Sequence, residues 1–412
     1  MRRGPALPRR TLLQGGLTLA GTGAAAAATP GAPLAIPEWT REQGASVLAA
    51  PYGSPSPHER GVVRRPRRSA VFPQTLSCNT PLQHLHGIIT PNGLHFIRDH
   101  AGTPDVDPAQ HRLVVHGMVA RPLIFTMDDL LRFPSVSRLH FLECAGNTPF
   151  WRTGAIKATW TAQDTHGLLS CAEWTGVRLA DVLAEVGVQP GAAWLLAEGA
   201  DAAALTRSVP LEKALDDAIL AYAQNGERLR PEQGYPLRLL LPGYEGNTNI
   251  KWLRRIKLGD APWETREETS RYTELQPDGR ARQFGFVMEV KSVITHPSGG
   301  EALGAGYCEI SGLAWSGRGR IRRVEVSTDG GATWRDAALQ APVLDSCLTR
   351  FRLPWHWQGE ALVLQSRATD ETGAVQPTRA ALVGKQGEHA EYHYNAIHAW
   401  RVAADGQVSV AL

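Results

Sequence analysis

The chain has 412 residues, of which 20% are charged and 43% hydrophobic, and a formal net charge of +3. That is too long for one ordinary domain and too apolar for a disordered chain, so two folded domains are expected. Arg2, Arg3, Arg9 and Arg10 precede the first acid, Glu38, and without those four charges the remainder carries −1; this argues against a nucleic-acid binder, which needs a strongly basic face, and no internal apolar run of about 18 residues offers a membrane span.

In chain order, Arg9-Arg10-Thr11-Leu12-Leu13-Gln14 runs into a short apolar stretch of small residues ending in alanines at Ala28. Residues 1–30 therefore read as a twin-arginine secretory leader, which predicts a periplasmic protein. Such export carries folded proteins, often loaded with a cofactor. Residues 31–68, rich in Pro, Gly, Ser and Arg, read as an extended arm or linker. From 69 to 282 short strands alternate with helices. Leu113–Gly117 reads as a strand, Thr126 as an N-cap before Asp128 and Asp129, Leu179–Leu183 as a helix, and Leu237–Leu241 as a buried strand before the Pro242-Gly243 turn. This alternation predicts an α+β domain. From 283 to 412 the pattern changes to short strands between turns, as at Ile321–Thr328, Asp329-Gly330-Gly331 and Leu362–Leu364, and predicts an all-β, immunoglobulin-like sandwich.

The cysteines are Cys78, Cys144, Cys171, Cys308 and Cys347, with no two within three residues. CxxC zinc or redox motifs and CxxCH haem attachment are absent, and an odd count leaves at least one thiol unpaired or bound to something. In Phe141-Leu142-Glu143-Cys144-Ala145-Gly146-Asn147 a strand delivers one cysteine into a small-residue turn, where backbone can approach a ligand closely. A thiolate there can be a nucleophile or a metal ligand. His84-Leu85-His86 would put two imidazoles on one strand face. They suit pocket lining better than zinc, because no further ligands are suggestively spaced. Trp263–Glu268 reads as a solvated, charged loop.

Leu142–Asn147 resembles the molybdenum-cysteine motif of sulfite oxidases. His95–His100 is similar to that family's Phe-x-Arg-Asn-His segment, and Trp174–Leu179 to its Trp-x-Gly-x-Arg-Leu. Gly234–Arg238, Pro242-Gly243 and Ile250–Leu253 resemble its Gly-Phe/Tyr-Pro-x-Arg and Val-Lys-Trp-Leu segments. Ala314–Gly317 and Ser327–Trp334 resemble its C-terminal dimerisation domain. The resemblance runs in the family's order over roughly 75 to 405. It implies a sulfite-oxidase-type molybdopterin domain (69–282), a β-sandwich dimerisation domain (283–412), and a molybdenum-molybdopterin (Mo-pterin) cofactor. By the same resemblance Cys144 is the metal ligand, His100, Asp201, Arg238 and Lys251 contact the pterin, and Arg98 and Tyr272 are catalytic. Cations toward the pterin suit its phosphate and anionic sulfurs.

The departures bear on substrate. Asn147 is followed by Thr148-Pro149 where sulfite oxidases have two arginines, the family's late arginine falls on Tyr392-His393-Tyr394-Asn395, and its pocket tryptophan falls near Asp164. Two cations that would clamp a free dianion are missing, so arginines at 148 and 149 are expected to favour free sulfite. Thr148-Pro149-Phe150 and Tyr392–Asn395 resemble the molybdenum subunit of Sox-type sulfane dehydrogenases, which implies a sulfane sulfur on a sulfur-carrier protein as substrate. With no haem motif in the chain, electrons would leave through a c-type cytochrome partner, in a homodimer or heterotetramer. The alternatives are a free-sulfite dehydrogenase and a non-catalytic assembly subunit.

Overall fold

The computed structural model describes residues 36–44, 46–68, 74–148, 156–388 and 390–411. The twin-arginine leader and Pro149-Phe150 lie outside them.

Two five-stranded sheets build the first part of the molecule. One joins Glu227–Arg228, Ile219–Gln224, Leu169–Arg178 and Ser135–Glu143 in that order, with Arg238–Leu240 also pairing with Ile219–Gln224. The other runs Leu123–Phe125, Leu113–Gly117, Leu253–Gly259, Trp194–Gly199, Thr206–Pro210. Its Leu113–Gly117 and Leu253–Gly259 pair is parallel; the rest is antiparallel. Between the sheets lies an apolar core that includes Leu113, Val182, Leu195, Leu239 and Ile256, all completely buried. Thr126 caps the helix Met127–Leu130 through a reciprocal contact with Asp129, as the N-cap pattern predicts. The helix Leu179–Val186 buries Leu179, Val182, Leu183 and Val186, the i, i+3, i+4, i+7 stripe of an amphipathic helix.

The arm is more than a linker. Its last residues, Arg65–Arg68, form a strand on Leu76–Asn79, which pairs in turn with Ile97–Asp99. His84 and His86 share no strand face: Leu82–His84 is a 3-10 turn after Pro81, and both imidazoles are solvent-exposed.

The second part is a β-sandwich. One sheet holds Lys291–His296, Gly306–Trp315, Thr349–Trp357 and Ala338–Leu339; the other holds Arg335–Asp336, Ile321–Ser327, Leu362–Asp370, Ala399–Val402 and Val408–Val410. Its interior packs Trp315, Phe351, Trp357 and Trp400, at 2% exposure or less, and fully burying one such side chain contributes about 1.5–3 kcal/mol. That core is continuous with Leu82, Phe141, Leu169 and Cys171 of the first part, so the two parts share buried surface. Cys171 and Cys347 meet across this boundary with Sγ atoms 3.5 Å apart, both as free thiols.

Candidate functional site

Strand ends from both sheets converge on one cleft. Cys144 follows directly on the strand Ser135–Glu143, whose burial rises along its length. The turn after it is pinned by Asn147, whose Nδ2 donates to Glu143 Oε1 at 2.9 Å and to His166 O at 3.0 Å, while its Oδ1 accepts from Leu168 N at 3.2 Å. The main chain after Glu245 crosses this turn closely. A Cβ at Gly246 would lie 3.0 Å from Glu143 O and 3.3 Å from Cys144 Cα, so only glycine fits without displacement.

The seven residues singled out from the sequence line a single cavity: Arg98, His100, Cys144, Asp201, Arg238, Lys251 and Tyr272. It encloses about 680 Å³ of atom-free space, counted to its open mouth. A second cavity, of about 830 Å³, is lined by Arg67, Asn147, Thr148, Asp164, Arg271 and Tyr392 among others, and shares Arg98, Cys144 and Tyr272 with the first. Cys144 thus stands where two spaces meet, one lined by the buried Arg238 and the half-buried Lys251 and one lined by Arg67, Arg271 and Tyr392.

Burial pushes the Cys144 thiol up, and the Arg98 charge opposes the rise. Burial, followed by the charges of Arg98 and Arg271, holds His100 down at about 3, so its imidazole is neutral. Its Nε2 lies 3.3 Å from the Tyr272 hydroxyl, which burial raises above its ordinary pKa. The neutral ring can therefore accept that hydroxyl's hydrogen bond. Lys251 pairs with Asp99, donates to Glu232 O at 2.9 Å, and is lowered chiefly by burial. Asp201 caps its own loop by accepting from Leu205 N at 3.3 Å.

Arg238 tests the fit of an anionic cofactor. Its guanidinium is 3% exposed, donates to Gln233 O at 3.0 Å and Asn249 O at 3.2 Å, and leaves Nε without a partner among the described residues. Burial alone holds it at about 9. A buried cation without an anion is costly unless a ligand brings one, and a phosphate in this cavity would do so. His95 adds a buried ring whose Nε2 has no partner among the described residues, lining the same cavity.

Residues 100–267 match the model of an oxidoreductase molybdopterin binding domain, and 282–399 that of a Mo-co oxidoreductase dimerisation domain. The chain is 33% identical to sulfite oxidase of Gallus gallus over 323 residues, covering 71% of this chain and 69% of that protein. The chain belongs to the sulfite oxidase family. It is also 33% identical to mitochondrial sulfite oxidase of Homo sapiens over 359 residues, covering 79% of this chain and 64% of the human protein, so about a third of that relative lies outside the match. The structure of the sulfane dehydrogenase SoxCD from Paracoccus pantotrophus superposes with a TM-score of 0.88 at 46% identity, covering 92% of this chain and 97% of that one. The family's molybdopterin binding domain implies a Mo-pterin cofactor, and Arg238, which has no anionic partner among the described residues, fits that requirement.

Besides the arm and the His84 and His86 pair, the structure changes three parts of the sequence reading. Trp263–Glu268 is not a solvated loop: Thr265 and Glu268 form a capping box, and Glu267 and Glu268 are each 1% exposed. Glu268 and Glu245 hold the completely buried Arg207 at 3.4 and 3.2 Å, and that guanidinium lies 5.3 Å from the Tyr272 ring centroid. His393 Nε2 adds a 3.2 Å contact to Glu245, and its backbone N–H donates to Ala145 O at 2.9 Å. Second, although the two family arginines are replaced, the entrance has other cations, since Arg67 from the arm and Arg271 line it; Arg67 is held by Asp164, 3.0 Å from its O and 3.6 Å from its Oδ1. Third, Thr148 is no place for an arginine. It is 3% exposed at φ 67, with its Oγ1 3.0 Å from Lys291 Nζ.

Proposed function

We propose that this is a periplasmic molybdenum enzyme that oxidises sulfane sulfur carried on a cysteine of a carrier protein. Electrons would pass to a c-type cytochrome partner, with the β-sandwich forming a homodimer or the core of a heterotetramer. The observation that carries this reading is the junction of the two cavities at Cys144, Arg98 and Tyr272. Cys144 would hold molybdenum through Sγ, and His100, Asp201, Arg238 and Lys251 would hold the pterin. The bound cofactor supplies two-electron oxidation with oxygen transfer to sulfur.

The chain's own residues divide the remaining work. Arg98 offers a cation to an anionic sulfur group at the junction. Tyr272 presents a protonated hydroxyl whose hydrogen bond the neutral His100 Nε2 can accept. Tyr392, whose ring centroid is 5.1 Å from that of Tyr272, narrows the outer cavity without adding charge. The likeness to SoxCD supports the carrier-bound substrate, the paired arginines of the leader support export, and the absence of CxxCH supports a separate electron carrier.

Arg67, Arg98 and Arg271 around the outer cavity favour a second reading, a free-sulfite dehydrogenase. Steady-state rates of the purified holoenzyme on carrier-bound sulfane sulfur and on free sulfite, with cytochrome c as acceptor, separate the two. The first reading expects the higher kcat/KM on the carrier. Turnover of sulfite alone replaces it with the second.

A further inference from the structure

Glu143, the residue before Cys144, is completely buried. A carboxylate in such a place must be paired and hydrogen-bonded. Its Oε1 accepts from Lys291 Nζ at 2.9 Å and from Asn147 Nδ2 at 2.9 Å; its Oε2 accepts from Trp315 Nε1 at 2.6 Å. Lys291 and Trp315 face each other across neighbouring strands of the sandwich. Lys291 Nζ also donates to Thr148 Oγ1 at 3.0 Å. The second domain therefore grips the metal-cysteine turn on both sides, once before Cys144 and once after it.

Both grips bear on the site. Thr148 is a β-branched residue in left-handed backbone, at φ 67, a conformation costing on the order of 1–3 kcal/mol that surrounding contacts must hold in place. Thr148 lines the outer cavity beside Cys144, whereas Lys291 lines neither cavity. An apolar trio would pack the same boundary at no greater cost. An ion pair with fixed hydrogen-bond directions does something packing does not, because it sets the orientation of the strand end.

We propose that Lys291 and Trp315 are positioning residues for the reaction: through Glu143 and Thr148 they fix where Cys144 Sγ stands and how the adjoining wall of the outer cavity is shaped. The sandwich then completes the catalytic turn as well as serving as a dimerisation domain. The inference rests on Cys144 being the metal ligand.

The test compares W315F, E143Q/K291M and C144S as loaded full-length enzymes. Molybdenum per chain, the Mo(V) EPR spectrum, kcat and KM are measured for each. W315F keeps an aromatic ring but removes the N–H together with the five-membered ring that carries it, at a completely buried position, so circular dichroism and molybdenum content confirm that it is folded; the double variant removes both buried charges together. Both should bind molybdenum, show shifted EPR g-values, and lose about tenfold in kcat, in keeping with the sensitivity of catalysis to small displacements. A wild-type EPR spectrum and kcat in W315F overturn the proposal whether or not the double variant folds, provided C144S alters the spectrum. An unaltered spectrum in C144S overturns instead the ligand role on which the proposal rests.

Discussion

Replacing Arg238 by Met separates what this residue does for the cofactor from what it does for the fold. A guanidinium held at about 9 instead of 12.5 carries a burial penalty on the order of 4–5 kcal/mol. Methionine removes that penalty but leaves Gln233 O and Asn249 O without donors, at about 1–3 kcal/mol each. The two effects nearly cancel, so the cofactor-free variant should keep its stability within about 2 kcal/mol. The loaded protein has no such compensation, because an anion in the cavity loses a buried partner worth about 3–5 kcal/mol, or two to nearly four decades of affinity. Thermal unfolding of the cofactor-free protein and the molybdenum and pterin content after gel filtration read the two sides separately. R238K, which keeps the charge, should retain more cofactor than R238M. Stoichiometric cofactor in R238M would refute the reasoning, and so would a collapse of the cofactor-free fold.

Two further outcomes follow from buried charge. Burial alone would lower His393, but the Glu245 carboxylate accepting from Nε2 outweighs it and leaves the pKa raised above 6.5. The stabilisation is therefore full below that value and is lost as pH rises through the raised pKa. H393Q should flatten the fall of Tm above pH 6.5, and equal slopes in the two proteins would contradict this. T148R places a second cation beside Lys291 at a strained, buried position, and should cost more than about 3 kcal/mol in denaturant unfolding. Wild-type stability with a lower KM for sulfite would reverse that assignment.

The legible parts of the chain are those whose signals are local. Leu113–Gly117 announces itself by composition, Thr126 by its cap chemistry, and Cys144 by the small residues that follow it. Arg98, His100, Cys144, Arg238 and Lys251 lie in short motifs within or next to strand ends, and with Asp201 and Tyr272, which carry no such local signal, they line one cavity. The layer beneath Tyr272 was hidden for a physical reason. Arg207, Glu245, Glu268 and His393 come from four separate segments and neutralise one another only after folding. In one dimension, Glu267 and Glu268 look solvated. The Thr265–Glu268 capping box was the local sign of order there. Arg67 was hidden because the arm's composition suggests a linker, while its pairing with Leu76–Asn79 depends on a strand formed later in the chain. The strut from Lys291 and Trp315 to Glu143 spans 148 and 172 positions, and no pattern in either segment announces it.

The most direct test of the account is the metal's sulfur coordination. Molybdenum K-edge EXAFS on the loaded wild type and on C144S should show one sulfur scatterer fewer in the variant, with the metal still in the cavity or partly lost from it. An unchanged sulfur count in C144S would show that Cys144 does not bind the metal, and the assignment of the two cavities to cofactor and substrate would fall with it.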